Sequence, residues 1–531
     1  MQISTNIARL VLMIHKVKSF GITGIDGYIV DVEVDTSRGL PKYHLVGLPN
    51  ATVKESKERV ESAIRNSGLS FPSQKIVVNL APADTRKEGA LYDLPIAIGL
   101  LLCTNELIYD EKVSEFAFIG ELGLDGEIRS VKGILPILIS AQKQGIKKVI
   151  IPHANAHEAS FIHGITVFIA STLKEVVNAL NGEKALDSVI KRDFTEVQND
   201  AKYPLDLKYV RGQFIAKRAL EIAAAGGHNI LLIGPPGSGK TMLAKCFPTI
   251  LPDISFQESI EVSKIHSIAG TLDAGKGIVA TRPFRTPHHT ASLVALAGGG
   301  SNSKPGEISL AHHGVLFLDE MPEYPRASLE MLRQPLEDNA ITIARAHSTV
   351  NYPAGFTLVA SMNPCPCGNY GSRVQKCSCR PNIIHKYLSK LSGPLMDRID
   401  LHIEVDNITY DDLASTSTSE TSADVKSRVD CARQIQVDRF KANSVKNTGE
   451  TEIFCNAKMT EVETKLYCIL DRDSERVLKD AFEKLSLSAR AYTRILRVAR
   501  TIADMENSQN ITSDHIIEAV SYRSLDRKYK V

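Results

Sequence analysis

The sequence predicts a multidomain α/β chain that ends in an all-helical region. Three observations carry this. A strand-like run, Ile230 to Ile233, feeds the glycine-rich stretch "GPPGSGKT", which opens a helix. Upstream of it, strand-like and helix-like pieces alternate. Downstream of residue 425 the pattern is helical throughout, with no convincing strand. At 531 residues the chain is too long for one growing core, so about two to four domains are expected.

Composition excludes little. Hydrophobic residues make up 43% and charged residues 23%, an ordinary globular mix. A formal net charge of +2 neither argues for nucleic acid nor excludes it, because a local patch can bind phosphates. No run reaches the roughly 18 apolar residues that a membrane span needs, so no membrane partner is expected. The start, "MQISTNIARLVLMIHKVKSFG", is short and lacks a small-residue cleavage pattern; it reads as a first strand or helix. Of nine cysteines, Cys103, Cys246, Cys431, Cys455 and Cys468 are scattered, which fits a reducing, cytoplasmic setting.

Taken in order, "YIVDVEVDT" and "KIVVNLAPA" read as strands. "ATVKESKERVESAIRNSG" has helical periodicity and a glycine stop. "KKVIIPHANAHEA" reads as strand, loop and helix start. Residues 181–204, "NGEKALDSVIKRDFTEVQNDAKYP", are polar and weakly patterned and read as a linker. The expected domains are therefore 1–180, 205–405 and 406–531. The run "STSTSETS" at 415–422 reads as a surface loop before the helix "ADVKSRVDCARQIQVDRF".

The strongest motif is Gly234, Pro235, Pro236, Gly237, Ser238, Gly239, Lys240, Thr241. Backbone N–H groups around Gly237 and Gly239 are placed to cradle phosphates, helped by the start of the helix. Lys240 reaches the outer phosphates and Thr241 ligates Mg²⁺, so ATP and Mg²⁺ are the expected cofactors. A second strand, "GVLFLDE", ends in Asp319 and Glu320. Two acids at a strand end are a weak signal alone and a strong one beside this loop. Asp319 then holds Mg²⁺ through water and Glu320 orients the attacking water. A third strand, "FTLVASMN", ends in Asn363, whose amide suits the same water.

Between these strands lies "GKGIVATRPFRTPHHTASLVALAGGG", with Lys276, Arg282, Arg285, His288 and His289. Pro283 and Pro287 break regular structure there, and cations on loops suit contacts to DNA phosphates. The alternative is that Arg282 and Arg285 form intersubunit salt bridges or help the nucleotide site. The adjacent histidines lack a third metal ligand at convincing spacing. A second DNA candidate is Arg345, two residues from His347 in "NAITIARAHSTVNYP". Arg490, Arg494, Arg497 and Arg500 repeat at helical spacing, forming a broad basic face.

"NPCPCGNYGSRVQKCSCR" places Cys365, Cys367, Cys377 and Cys379 within fifteen residues. Four thiols suit a structural Zn²⁺, with Gly368, Gly371 and Pro381 permitting the turns. An iron–sulfur cluster, a redox pair and four bland loop cysteines are the other readings of the same spacing. If zinc binds, its loss is expected to disorder the segment after Asn363 and to blunt ATP turnover or ring assembly indirectly, with nucleotide binding surviving better because Lys240 and Thr241 sit on a different loop.

The stretches "KRALEIAAAGGHNILLIGPPGSGKTMLA", "RPFRTPHHTAS", "GGGSNSKPGEISLAHHGVLFLDE" and "SARAYTRILRVARTIAD" resemble the magnesium-chelatase-like branch of the AAA+ ATPases. The likeness extends over nearly the whole chain and is nearest to the competence-associated ComM/YifB proteins. It implies a AAA+ P-loop core, preceded by a Lon-protease-like domain of the ribosomal protein S5 domain 2 type and followed by a helical lid. It further implies a homo-hexamer acting on single-stranded or branched DNA, as a branch-migration helicase in natural transformation, with recombination proteins as further partners. "GPLMDRIDLHIEV" is similar to the family segment bearing the arginine finger, which assigns Arg398 to a neighbour's γ-phosphate. "LSLSARAYTRILRVAR" similarly assigns the second sensor to Arg490. "RKEGALYDLPIAIGLL" and "GELGLDGEIRSVKGILP" resemble the Ser–Lys stretches of Lon proteases, but Leu91 and Leu135 occupy the reactive positions. Neither can attack or take a proton, so the domain is expected to be non-proteolytic. A metal-chelatase motor and a Lon-like protease are the competing functions.

Overall fold

The computed structural model describes residues 14–107, 111–200, 203–300, 303–344, 349–371, 375–407, 420–444, 455–485 and 487–525. Two compact units divide the chain: residues 1–200 with 259–280, and residues 201–258 with 281–531.

The first unit is built on a seven-stranded mixed sheet. Its strands are β1 (His15–Thr23), β2 (Asp26–Ser37), β3 (Lys42–Val46), β4 (Lys75–Ala81), β5 (Phe116–Phe118), β8 (Lys148–Pro152) and β9 (Thr166–Ala170). A separate short hairpin comprises β6 (Glu121–Leu122) and β7 (Ile128–Arg129). The sheet order is β3-β4-β2-β1-β5-β8-β9. Period-two burial is clearest in β4, where Ile76, Val78 and Leu80 face the core and their neighbours do not. Two helices close that core. Asp93–Cys103 is apolar on all sides and buried accordingly; Ile134–Lys143 buries seven of its ten residues. Leu91 is 7% exposed and Leu135 fully buried, so both are packing residues here.

Two features of this unit differ from the sequence expectation. Residues 181–200 are folded rather than a free linker. The N–H of Val189 donates to Val167 O at 2.9 Å and the N–H of Ile169 to Asp187 O at 3.0 Å, so the chain runs along β9. Helix Phe194–Asn199 follows, capped by Asp193, whose Oδ1 accepts from Thr195 N at 2.9 Å. Backbone pairing leaves no mark on composition, which is why the stretch reads as polar linker. Second, residues 259–280 belong to this unit although they follow the glycine-rich loop in sequence. Lys264 Nζ lies 2.8 Å from Asp26 Oδ1, and Ser267 Oγ donates to Glu158 at 2.6 Å. Gly277, at φ +71°, lies so close to His157 that a Cβ would stand 2.2 Å from its carbonyl oxygen.

The second unit has a five-stranded sheet of β10 (Ile230–Ile233), β11 (Phe284–Arg285), β14 (Val315–Leu318), β17 (Thr357–Met362) and β18 (Leu401–Glu404). Two small hairpins accompany it: β12 (Gly298–Gly299) with β13 (Lys304–Pro305), and β15 (Ala340–Ala344) with β16 (Thr349–Pro353). The order is β11-β14-β17-β10-β18, with every pair parallel. β10 comes first in sequence yet lies between β17 and β18. The crevice beyond its C-terminal end is therefore a topological switch point, where such sheets bind ligands. All four β10 side chains are buried, as a doubly covered parallel strand requires, and each stabilises the fold by about 1.5–3 kcal/mol.

Helices Ser422–Ser444, Glu461–Tyr467, Arg472–Leu485, Ala489–Met505 and Ser513–Ser521 form the C-terminal part. Ala489–Met505 buries Ile495, Leu496, Val498, Ala499 and Ile502 against the core shared with β10. His228, fully buried just before β10, ties the sheet to this helix through Thr501 Oγ1 at 2.8 Å from its Nε2. Burial lowers the His228 pKa to about 4, with Asp400 opposing the shift. A histidine depressed in the fold stabilises it above the ordinary pKa near 6.5, and that stability is lost as pH falls toward 4. About 3 kcal/mol is at stake. Melts of wild-type protein and His228→Gln across that range are expected to converge as pH drops; parallel curves would contradict the assignment.

Candidate active site

The loop after β10 turns through Gly237 at φ +80° and Gly239 at φ +88°, conformations that favour glycine. Gly234 faces the β18 end so closely that a Cβ would stand 2.3 Å from Val405 O. Lys240 opens helix Lys240–Cys246, and its Nζ donates to Gly234 O at 2.8 Å, Pro235 O at 2.7 Å and Asn363 Oδ1 at 3.3 Å. Burial lowers the Lys240 pKa to about 8, against the pull of Asp319 and Glu320. Ser238 Oγ donates to Pro235 O at 2.9 Å, which stiffens the loop from within.

Thr241 Oγ1 donates to Asp319 Oδ2 at 3.0 Å, bringing a hydroxyl and a carboxylate together where β10 and β14 end. Hard oxygen donors of this kind fit Mg²⁺, which keeps several waters and takes only one or two protein ligands. Glu320 follows at φ +50°, an uncommon conformation for a residue with a side chain, and its carboxylate is exposed. Ser361, inside β17, was not singled out by sequence. Its Oγ donates to Asp319 Oδ1 and accepts the Glu320 N–H at 3.2 Å, so one hydroxyl fixes both acids. An isolated serine in an apolar strand carries no local signal.

Arg398 is 3% exposed. Its Nη1 donates to Pro394 O at 2.7 Å and its Nη2 lies 2.5 Å from Glu337 Oε1. The same carboxylate oxygen is 3.8 Å from Arg490 Nη2. Glu337 thus gathers both arginines, and nothing in its local sequence announced it. Of the arginine face, Arg494 pairs with buried Asp400, Arg497 donates to Ala457 O at 3.1 Å, and Arg500 pairs with Asp504 at 3.0 Å. Arg494 thus ties its helix to the sheet, and Arg497 and Arg500 bond within the helical part; the Arg490 side chain is 57% exposed.

Two DNA candidates are engaged within the chain. Arg282 bonds Pro252 O at 2.5 Å and His313 O at 2.8 Å and pairs with Glu258 at 3.2 Å. Arg285 forms a two-pronged pair with Glu307 at 2.6 and 2.7 Å. Both are therefore salt-bridged, but to carboxylates of their own chain and not across a subunit boundary as the alternative has it. His288 and His289 stack with ring centroids 4.1 Å apart, and among the described residues no third ligand joins them. Lys276 is exposed and belongs to the first unit. Arg345 lies outside the described residues.

The four cysteines converge. Sulfur separations are 3.3 Å for Cys365–Cys367, 3.7 Å for Cys365–Cys377 and 3.6 Å for Cys367–Cys377, and all four sulfurs lie within 4.8 Å of one another. A tetrahedral ion with metal–sulfur bonds of about 2.3 Å needs sulfurs roughly 3.8 Å apart, so the set fits a four-thiolate centre. Backbone N–H groups of Asn369 and Ser378 lower the Cys367 pKa to about 5.

A parallel sheet with a phosphate loop after its interior strand β10, two acids after β14 and a polar residue after β17, joined to a helical domain, defines a AAA+ P-loop ATPase. Family profiles agree along the chain. Residues 206–413 match "Magnesium chelatase, subunit ChlI", 32–155 match "Subunit ChlI of Mg-chelatase", and 419–523 match "Magnesium chelatase, subunit ChlI C-terminal". The competence protein ComM of Haemophilus influenzae is 44% identical over 95% of this chain and 96% of its own length. YifB of Escherichia coli is likewise 44% identical over 95% and 96%. The chain belongs to the magnesium-chelatase-like AAA+ family, in its ComM/YifB group. Lon protease 2 of Bacillus subtilis is 28% identical over 24% of the chain and 22% of its own length. No helix among the described residues is long and apolar enough to cross a membrane.

Proposed function

We propose that the chain is an ATP-driven motor on DNA, assembled as a ring, with branch migration or unwinding as its work. The observation that carries the ATPase half is the convergence of Lys240, Thr241, Asp319, Glu320 and Asn363 at one sheet edge. In this reading Lys240 neutralises the outer phosphates, Thr241 and Asp319 hold Mg²⁺, and Glu320 and Asn363 orient the attacking water. Arg398, and with it Arg490 on the same carboxylate, completes a neighbour's pocket. The DNA half rests on the near full-length likeness to a competence protein. Lys276, His288, His289 and Arg345 remain the contact candidates, since Arg282 and Arg285 are spent on intrachain carboxylates.

The first unit is read as a Lon-like fold without proteolysis, because Leu91 and Leu135 stand at the reactive positions and are buried. The four cysteines are read as a structural Zn²⁺ centre: every coordination position is filled by protein, leaving none for water activation. A second reading, the motor of a metal chelatase, draws on the wording of the family profiles. One measurement separates the two. ATP turnover is expected to rise on adding single strands, duplex or a four-way junction; indifference to all three would overturn the DNA reading and favour the chelatase.

A further inference from the structure

We propose that the cysteine knuckle is a metal-set prop for the phosphate-binding loop, so that its occupancy sets the affinity of the nucleotide pocket. This rests on the Zn²⁺ reading above and assigns that centre a regulatory task. The link is a single close approach. Gly368, at φ +81°, donates its N–H to Cys365 O at 2.9 Å, forming a turn between the two cysteine pairs. A Cβ on Gly368 would stand 2.3 Å from Cδ and 3.0 Å from Cγ of Pro236. Pro236 is the second proline of "GPPGSGKT". The knuckle therefore leans directly on the loop that holds phosphates, and only glycine permits the fit.

The other side of the knuckle is anchored. Cys365 is fully buried and is the third residue after β17. Asn363, between them, accepts from Lys240 Nζ. Beyond Cys365 the knuckle has little interior of its own. Cys367, Cys377 and Cys379 are only half-buried, and among the described residues between 366 and 379 only Gly368 is buried. The four sulfurs are what the turn closes around. With the ion removed, the four sulfurs lose the partner they share, and the described residues between 366 and 379 offer no buried side chain to hold Gly368 against Pro236. The phosphate loop then spends less of its time in the binding form. Apparent affinity falls in proportion to that fraction, on the order of tenfold if one loop in ten remains competent. On this proposal metal loss weakens nucleotide binding itself, where the sequence reading has binding survive the loss better than turnover does.

The test uses full-length protein purified without a histidine tag. Zinc per chain is measured, the metal is stripped with a chelator under reducing conditions, and affinity for a non-hydrolysable ATP analogue is titrated before and after. The expected result is about one zinc per chain, affinity weaker by on the order of tenfold after stripping, and recovery on adding Zn²⁺ alone. Gly368→Ala is expected to keep its zinc, bind the analogue as weakly as stripped wild type, and lose little more on stripping. Equal affinity with and without metal overturns the prop while leaving the zinc centre intact. Zinc near zero under metal-replete, reducing conditions overturns both. Should Gly368→Ala fail to fold, the strip-and-restore titration on wild type decides alone.

Discussion

Glu320→Gln protein is expected to bind ATP with near wild-type affinity and to hydrolyse it at least ~100-fold more slowly. Gln keeps the size and the backbone, which sits at φ +50° with its N–H bonded to Ser361 Oγ. It removes the carboxylate to which the proposed mechanism gives the orienting of water, while Thr241 and Asp319 keep their contact at 3.0 Å. Lys240→Ala should behave differently. It removes a buried ammonium that bonds Gly234 O, Pro235 O and Asn363 Oδ1, so the loop loses its internal tie along with its phosphate partner. Binding itself should fail. Bound nucleotide and released phosphate, measured separately for each variant, check this; equal loss of binding in both would contradict the roles.

The second large effect is expected at Arg398. Arg398→Ala should retain nucleotide and lose turnover by roughly 10³-fold, the scale on which an arginine finger acts. Because Arg398 is 3% exposed and paired with Glu337, a melt must accompany the assay to separate lost packing from lost chemistry. Mixing provides a sharper criterion. Rings combining Arg398→Ala and Lys240→Ala chains contain some interfaces with an intact pocket facing an intact finger, so activity should partly return. No recovery in demonstrated mixed rings would count against action between subunits.

What the sequence disclosed and what it hid follow one physical rule. The phosphate loop was legible because strand, loop and helix are contiguous, and Gly237 and Gly239 mark positive φ at fixed positions. Asp319, Glu320 and Asn363 were legible because each ends an apolar run. Ser361 was not, because its meaning lies in a partner 42 residues away. Glu337 was hidden for the same reason; only packing brings it to Arg398 and Arg490. The arginine face shows the converse. Helical spacing marked all four residues equally, and burial alone separated the three structural ones from exposed Arg490. The intrachain partners of Arg282 and Arg285 were hidden in sequence because Glu258 and Glu307 lie outside any local pattern.

The return of residues 259–280 to the first unit governs the order in which the protein can be made. A chain emerging from the ribosome has produced β1 through β9 long before Lys264 exists to meet Asp26, or Gly277 to seat against His157. Domains ordinarily fold one after another as they emerge. Here the earlier body stays unfinished until the β10 strand and the glycine-rich loop have been synthesised. Its last stitches arrive in the middle of the ATPase. Neither body is therefore a portable cassette: a cut at one junction leaves the first without its closing segment and the second with a stray helix.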